Sequence, residues 1–256
     1  VYEFPERGFF ARRLLRFNLR GCKAVTSASR AMTARTALFT SRPVETVPFG
    51  VYIKRFCPAD PNDAKSRDTV RIVFVKLFKP VYAPQDMLTA FCLLKETLRL
   101  NRHPLADKVR LEMYGSGELE AALKKQAAAC EFSSDITFHG YIENSRLPDA
   151  LRAGDIFCAT SKRESFGVSL VEAMACGLPV VCSDADGFKE IVTPETGIIA
   201  PAGNPMAFAS GLYRLTDDET LRRTLGQNGR HRAEKLYDFE KNTLTMLQIY
   251  QKAVKK

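Results

Sequence analysis

The sequence predicts an α/β protein built on a Rossmann-like, doubly wound parallel sheet. Three observations point there. Short β-branched runs alternate with helical stretches from residue 71 to residue 202. The connections between them are short. Apolar residues make up 45% of 256 positions, enough to bury a sizeable core.

Before that alternation begins, residues 7–23 (RGFFARRLLRFNLRGCK) hold six basic residues and no acidic one. Arg12, Arg16 and Arg20 recur every four residues and make one helical stripe, with Arg13 beside it. Phe10, Leu14 and Phe17 fall on a neighbouring apolar face. Such a helix suits peripheral contact with an anionic membrane, or serves as an ordinary surface helix with a basic face. CKAVTSAS then offers a short buried strand and a helix follows it. Pro48 and Gly50 break the chain in ETVPFGV. Residues 57–69 (CPADPNDAKSRDT) are polar and aperiodic with two prolines, so they read as a linker, and a boundary is placed across 55–69.

Beyond the linker the elements follow in order. Strands are expected at 71–75, 109–115, 135–140, 155–160, 178–184 and 197–202. Helices are expected at 86–98, 118–129, 147–154 and 168–177, and the remainder to Lys256 is helical and charged. Ligands of such sheets bind outside the carboxyl ends of the strands. The loops that can carry chemistry are therefore 76–85, 115–118, 139–146, 161–168 and 184–189.

Composition narrows the partners. Thirty-eight Lys and Arg against 29 Asp and Glu leave a net charge of +9, which favours anionic ligands or surfaces. No basic strand interleaved with aromatics appears, so nucleic acid is not expected. The seven cysteines form no C-x-x-C pair and the three histidines are scattered, which predicts reduced thiols, a cytoplasmic setting and no metal. No run of 18 apolar residues and no signal-peptide pattern occurs.

SKRESFGVSLVEAMACGLPVVCSD (161–184) is the richest segment. A helix starting near Gly167 turns its free N–H groups out of the sheet edge and forms an anion site suited to a diphosphate. Gly167 allows close backbone approach. Glu164 precedes the cradle, placed for sugar hydroxyls. Glu172 lies about one and a half turns inside the helix, placed for a ribose diol. Two carboxylates around a phosphate cradle suit a nucleotide-sugar. One carboxylate on a loop and one inside the next helix is poor geometry for the facing acid–nucleophile pair of a glycoside hydrolase. An E-x7-E spacing in isolation would read as a dipole-favoured glutamate and a surface ion pair.

ESFGVSLVEAMACGLPVV resembles the donor-site signature of family-4 retaining glycosyltransferases of the GT-B fold. VPFGVYIKRFCP (47–58) is similar to that family's hinge, and MYGSGELEAAL, ITFHGYI and EIVTPETGIIAPAGNP follow in the family's order. The resemblance implies that Glu164 contacts the transferred sugar as the catalytic carboxylate. Ser165, Phe166, Gly167, Val168 and Ser169 would surround the sugar and diphosphate, and Glu172 would hold the ribose. Gly115, Ser116 and Gly117 would border the nucleotide, while His139, Gly140 and Tyr141 would pass near its base. It implies no cofactor and no metal, a nucleotide-sugar donor, and a glycan or lipid-linked acceptor.

Four departures stand out. The family's phosphate-binding Arg and Lys positions are here Leu77 and Tyr82, so Lys76, or else Lys79, is expected to supply that charge. A family glycine is replaced by Asp186, which creates a D-x-D with Asp184. Phe157, Cys158, Cys176 and Cys182 near the site fit core faces. VYEFPERG resembles a segment that follows a His-Gly-Ser-Asp-like element, which implies that 1–54 is a remnant of the acceptor-side domain. Residues 55–236 would then be the donor-binding domain and 237–256 a crossover helix. In that reading a nucleotide-sugar-binding fragment, inactive without its partner domain, is the alternative to a working transferase.

Overall fold

The structure, a computed structural model, describes residues 4–60 and 68–255. Residues 61–67, the middle of the expected linker, and the first three residues of the VYEFPERG match lie outside the described residues.

The basic stretch forms helix α1 (Phe9–Gly21). Leu15 and Leu19, one turn apart, pack on Val25 of strand β1 (Val25–Ser27), whereas Phe9, Phe10, Leu14 and Phe17 are exposed. Helix α2 (Arg30–Ala37) begins at Ser29, whose Oγ accepts the Met32 N–H at 3.2 Å. Strand β2 (Val44–Thr46) pairs with β1 in parallel.

The chain then enters a six-stranded sheet. Its elements are β3 (Val70–Val75), α3 (Pro84–Leu100), β4 (Val109–Tyr114), α4 (Glu120–Ala128), β5 (Ile136–Gly140), α5 (Leu147–Arg152), β6 (Ile156–Ala159), α6 (Val168–Ala175), β7 (Val180–Ser183), α7 (Asp186–Ile191) and β8 (Gly197–Ala200). Helices α8 (Pro205–Asp217), α9 (Glu219–Leu236) and α10 (Phe239–Val254) follow. Every strand pair is parallel, in the order β5-β4-β3-β6-β7-β8. The chain winds outward from β3 to β5, then returns to place β6 on the other side of β3. The switch point of the sheet therefore lies between β3 and β6, and their carboxyl ends open a crevice.

Alternate residues of each strand feed two cores. Ile72, Phe74, Leu111 and Cys158 face α3 and α8, while Val73, Phe157, Val180 and Cys182 face α6. Phe157, Cys158 and Cys182 have no exposed surface and Cys176 is nearly as buried, so all four belong to the core as expected. Lys95 is a charged residue buried in these apolar layers. Its ammonium is buried under α3 but pairs with Asp135 at 2.6 Å, and Asp135 also meets Arg110.

Two expectations need correction. Residues 184–189, expected as a loop, mostly open α7, with Ala185 as its N-cap and Asp186 in its first turn. The thiols are not all free, since Cys92 and Cys130 are joined in a disulfide. They stand 38 residues apart, on α3 and just beyond α4, and only the packing of those two helices brings them together. The other five cysteines are free.

Candidate active site

The loops after β3, β4, β5, β6 and β7 meet at the switch point. Lys76, the first residue after β3, extends its Nζ to 2.5 Å from Glu164 Oε2, with both side chains only 13% exposed. The same ammonium lies 4.9 Å from the centre of the Tyr82 ring. Tyr82 thus supports the Lys76 ammonium from one side. Leu77 and Lys79 are exposed, so Lys76 is the one of these three positions held inside the crevice.

Backbone hydrogen bonds lace the loops after β3, β4 and β5 together. Lys76 N–H donates to Tyr114 O at 3.1 Å, Phe78 N–H to Ser116 O at 2.9 Å, and Gly115 N–H to Gly140 O at 2.8 Å. Gly117 follows on the same loop, against the backbone of Phe78. His139 stacks on Tyr114 with ring centres 4.2 Å apart and planes within 8°, and its Nε2 lies 2.6 Å from Glu112 Oε2. Tyr141 stands clear of these contacts and is 72% exposed.

Helix α6 provides the cradle. Gly167 caps it at φ 114°, a left-handed conformation, and a Cβ there would lie 2.6 Å from the Phe188 ring. No side chain caps this helix, so the first-turn N–H groups of Val168 and Ser169 face the crevice with the positive end of the helix dipole. Ser169 Oγ is buried without a hydrogen-bond partner among the described residues, an orphaned polar atom of the kind a ligand satisfies. Phe166 is buried between Phe49 of the hinge and Tyr237, at 5.5 and 5.7 Å in edge-to-face contact. Ser165 lines a cavity of about 460 Å³ shared with Thr26, Val47, Phe49 and Asn242.

Glu172 is buried on the same helix. Desolvation pushes its carboxyl from the ordinary 4.5 up to about 7, opposed by a hydrogen bond from the Asn144 side chain and by the charges of Arg55 and Lys76. The crevice therefore holds two unlike carboxylates. One is neutralised by a lysine, and the other is buried with an amide at hand.

The residues expected to bind the donor lie at the end of β5, on the loops after β3, β4, β5 and β6 and in the first two turns of α6. Asn144 and Arg55 went unrecognised, although Asn144 lies in the 139–146 loop and Arg55 in the expected boundary. The D-x-D does not converge. Asp184 Oδ1 accepts the Ala202 N–H at 2.9 Å and Asp186 pairs with Lys189 at 3.1 Å. Among the described residues, no group of three or more His, Cys, Asp and Glu side chains is arranged to hold a metal ion.

The carboxyl edge of a parallel sheet, an uncapped helix start and two glutamates thus meet at the switch point. The chain belongs to the family "Glycosyl transferases group 1", whose match covers residues 59–232. It is 31% identical over 221 residues to D-inositol 3-phosphate glycosyltransferase of Xylanimonas cellulosilytica, covering 83% of this chain and 52% of that protein. It is 30% identical over 212 residues to a GDP-mannose-dependent monoacylated alpha-(1-6)-phosphatidylinositol monomannoside mannosyltransferase of Corynebacterium glutamicum, covering 79% of this chain and 55% of the relative. The chain spans about half the length of these curated relatives. Among solved structures, HepE of Anabaena in complex with UDP and glucose superposes with a TM-score of 0.82 at 20% identity, over 97% of this chain and 69% of that one. Sucrose-phosphate synthase of Thermosynechococcus elongatus superposes at 0.80 with 24% identity, over 95% and 61%. These likenesses establish an α/β fold of the GT-B type. Among the described residues no helix is long and apolar enough to cross a membrane.

Proposed function

We propose that this chain is the donor-binding part of a glycosyltransferase that moves a sugar, with retention, from a nucleotide-sugar to a glycan or lipid-linked acceptor. The observation that carries the reading is the orphaned Ser169 Oγ in the uncapped first turn of α6, set between Glu164 and Glu172. A diphosphate there would accept from the Val168 and Ser169 N–H groups and from Lys76. Lys76 would leave Glu164 as the phosphate arrives, freeing that carboxylate for sugar hydroxyls. Glu172 would accept from the ribose diol. Departure of the diphosphate is then assisted by the helix terminus and Lys76, an electrostatic mechanism that needs neither a metal nor a protein nucleophile.

The relative named for phosphatidylinositol monomannoside mannosylation suits the lipid-linked acceptor of this reading, at a membrane surface. Helix α1 fits that setting, with Phe9, Phe10, Leu14 and Phe17 exposed on an arginine-rich helix. Flotation with anionic vesicles should carry the protein upward and neutral vesicles should not. Equal recovery with both ends the membrane part of the reading.

The donor site is tested by thermal shift with uridine, guanosine and adenosine diphosphates and their sugars. Ligand at a hundredfold over its Kd adds about 2.7 kcal/mol to stability. A selective shift that disappears in Glu172→Ala identifies the base. No shift with any of these ligands refutes the reading.

A further inference from the structure

Glu190 joins two parts of the chain that the sequence keeps 160 residues apart. Its Oε2 accepts the Arg30 N–H at 2.8 Å and its Oε1 the Ala31 N–H at 2.6 Å. One carboxylate thus satisfies the first two free donors of α2 and meets the positive end of its dipole, while Ser29 Oγ takes the next donor, from Met32. The Glu190 backbone is braced from behind. Arg232 donates from Nη2 to Glu190 O at 2.9 Å and from Nε to Ile191 O at 2.7 Å.

The opposite side of α7 carries the donor loop. Gly187 N–H donates to Glu164 O at 2.9 Å, and the two backbones pack so closely that a Cβ on Gly187 would lie 2.5 Å from Phe166 N. The Phe188 ring lies against Gly167, and Lys76 Nζ stands 5.9 Å from its centre. A stiff path therefore runs from the start of α2, through the Glu190 carboxylate and α7, to the loop 164–167. Two further contacts join the N-terminal residues to this loop: Arg163 to Glu6 at 3.4 Å, exposed and screened by salt, and Phe49, beyond β2, edge-to-face on Phe166.

We propose that Glu190 is a positioning residue for the donor site, clamping the β1–α2–β2 unit to α7 and thereby holding the loop 164–167 in register with the sugar. The proposal rests on the donor-site reading above. In that reading the clamp reaches the loop that addresses the sugar and not Glu172, which addresses the ribose. Its loss therefore acts at one end of the ligand.

The test combines amide hydrogen exchange of the unliganded chain with calorimetric binding of uridine, guanosine and adenosine diphosphates and their sugars. In Glu190→Ala the first turn of α2 and the segment 164–170 should both exchange about tenfold faster. The Kd for the nucleotide-sugar should rise about tenfold and by more than that for the bare nucleoside diphosphate, which shares the Val168 and Ser169 N–H groups but keeps Lys76 and Glu172. Arg30→Pro is a gentler variant that removes one of the two donors. Position 30 is the first helical residue and Ser29 is already extended at φ −149°, ψ 156°, so proline fits there. It should reproduce the pattern on a smaller scale.

Adding Ser29→Asp to Glu190→Ala re-caps α2 without reconnecting it to α7. Protection of α2 should return while the 164–170 segment and the sugar affinity stay impaired. The proposal is overturned if Ser29→Asp restores everything, if both ligands weaken equally, or if α2 loosens while 164–170 does not. If the unmodified chain binds no nucleotide, the donor reading fails, and exchange at 164–170 in the two Glu190-contact variants decides the clamp by itself.

Discussion

Glu164 and Glu172 are the same residue type, eight positions apart, in opposite electrostatic states. Glu164 sits on a loop at the mouth of the crevice, and Lys76 balances its charge at 2.5 Å. Glu172 sits inside a helix whose neighbours are apolar, and burial outweighs the pull of Asn144, Arg55 and Lys76. The first carboxylate is held by a partner, which in the proposed function a phosphate would draw away. The second is disfavoured as an anion by burial, and in the same proposal a ribose diol would cover it. Spacing alone cannot produce that difference. It comes from the turn at Gly167, which places one glutamate before the helix and the other within it.

The largest expected effect separates the two carboxylates by ligand. Glu172→Ala should weaken nucleoside diphosphate binding about a hundredfold, since hydrogen bonds to a buried charged acceptor are the strong ones. Glu164→Ala should leave that ligand within about threefold and lower nucleotide-sugar affinity about tenfold. Isothermal titration of both variants with both ligands checks this. Equal losses from both variants would break the division of labour.

The next effect reads the buried state directly. Between 4.5 and about 7 the folded protein keeps the Glu172 proton that the unfolded chain has released. Fewer protons are then bound in the unfolded state, so this group makes stability fall as pH rises through that window. Glu172→Gln removes the contribution. Urea unfolding at pH 5 and pH 8 should show the variant gaining about 2 kcal/mol on the parent protein over the interval. A pH-independent difference would mean that Glu172 is solvated.

These contrasts also show what the chain reveals before it folds. The parallel sheet was legible because its buried strands are continuous β-branched runs, RIVFV and LPVVC among them, punctuated by glycines at the turns. The cradle was legible because a strand end, Gly167 and a helical run stand in one short segment. The partners of Glu172 were not, since Asn144 and Arg55 reach it from a loop and a hinge far away in sequence. The Glu190 cap on α2 and the Cys92–Cys130 disulfide were hidden for the same reason. Helix α1 shows a different limit. Its apolar residues surround more than one face, so the pattern could not tell that Leu15 and Leu19 turn inward while Phe10 and Phe17 do not.

A smaller effect sharpens the Lys76 assignment. Lys76→Gln removes the ammonium from Glu164 and from the cradle together. Diphosphate affinity should fall about tenfold, and the salt dependence of binding should flatten, because one fewer cation meets the phosphates. Lys79→Gln, at an exposed position, should change neither. If Lys79→Gln has the larger effect, the charge assignment moves to position 79 and the pairing of Lys76 with Glu164 is structural.

The smallest effect lies at the base end. His139 is held flat on Tyr114 by its contact with Glu112, so the stacked pair presents one fixed face beside Gly140. Glu112→Gln keeps the size of the side chain but removes the charge that orients the ring. Affinity for the preferred nucleoside diphosphate should fall only about threefold, and discrimination among the three bases should narrow with it. Those two changes belong together, because a ring that orients the base contributes to choice more than to binding. Reduced affinity with unchanged discrimination would assign His139 to the wall of the sheet and leave base choice to the loop around the exposed Tyr141.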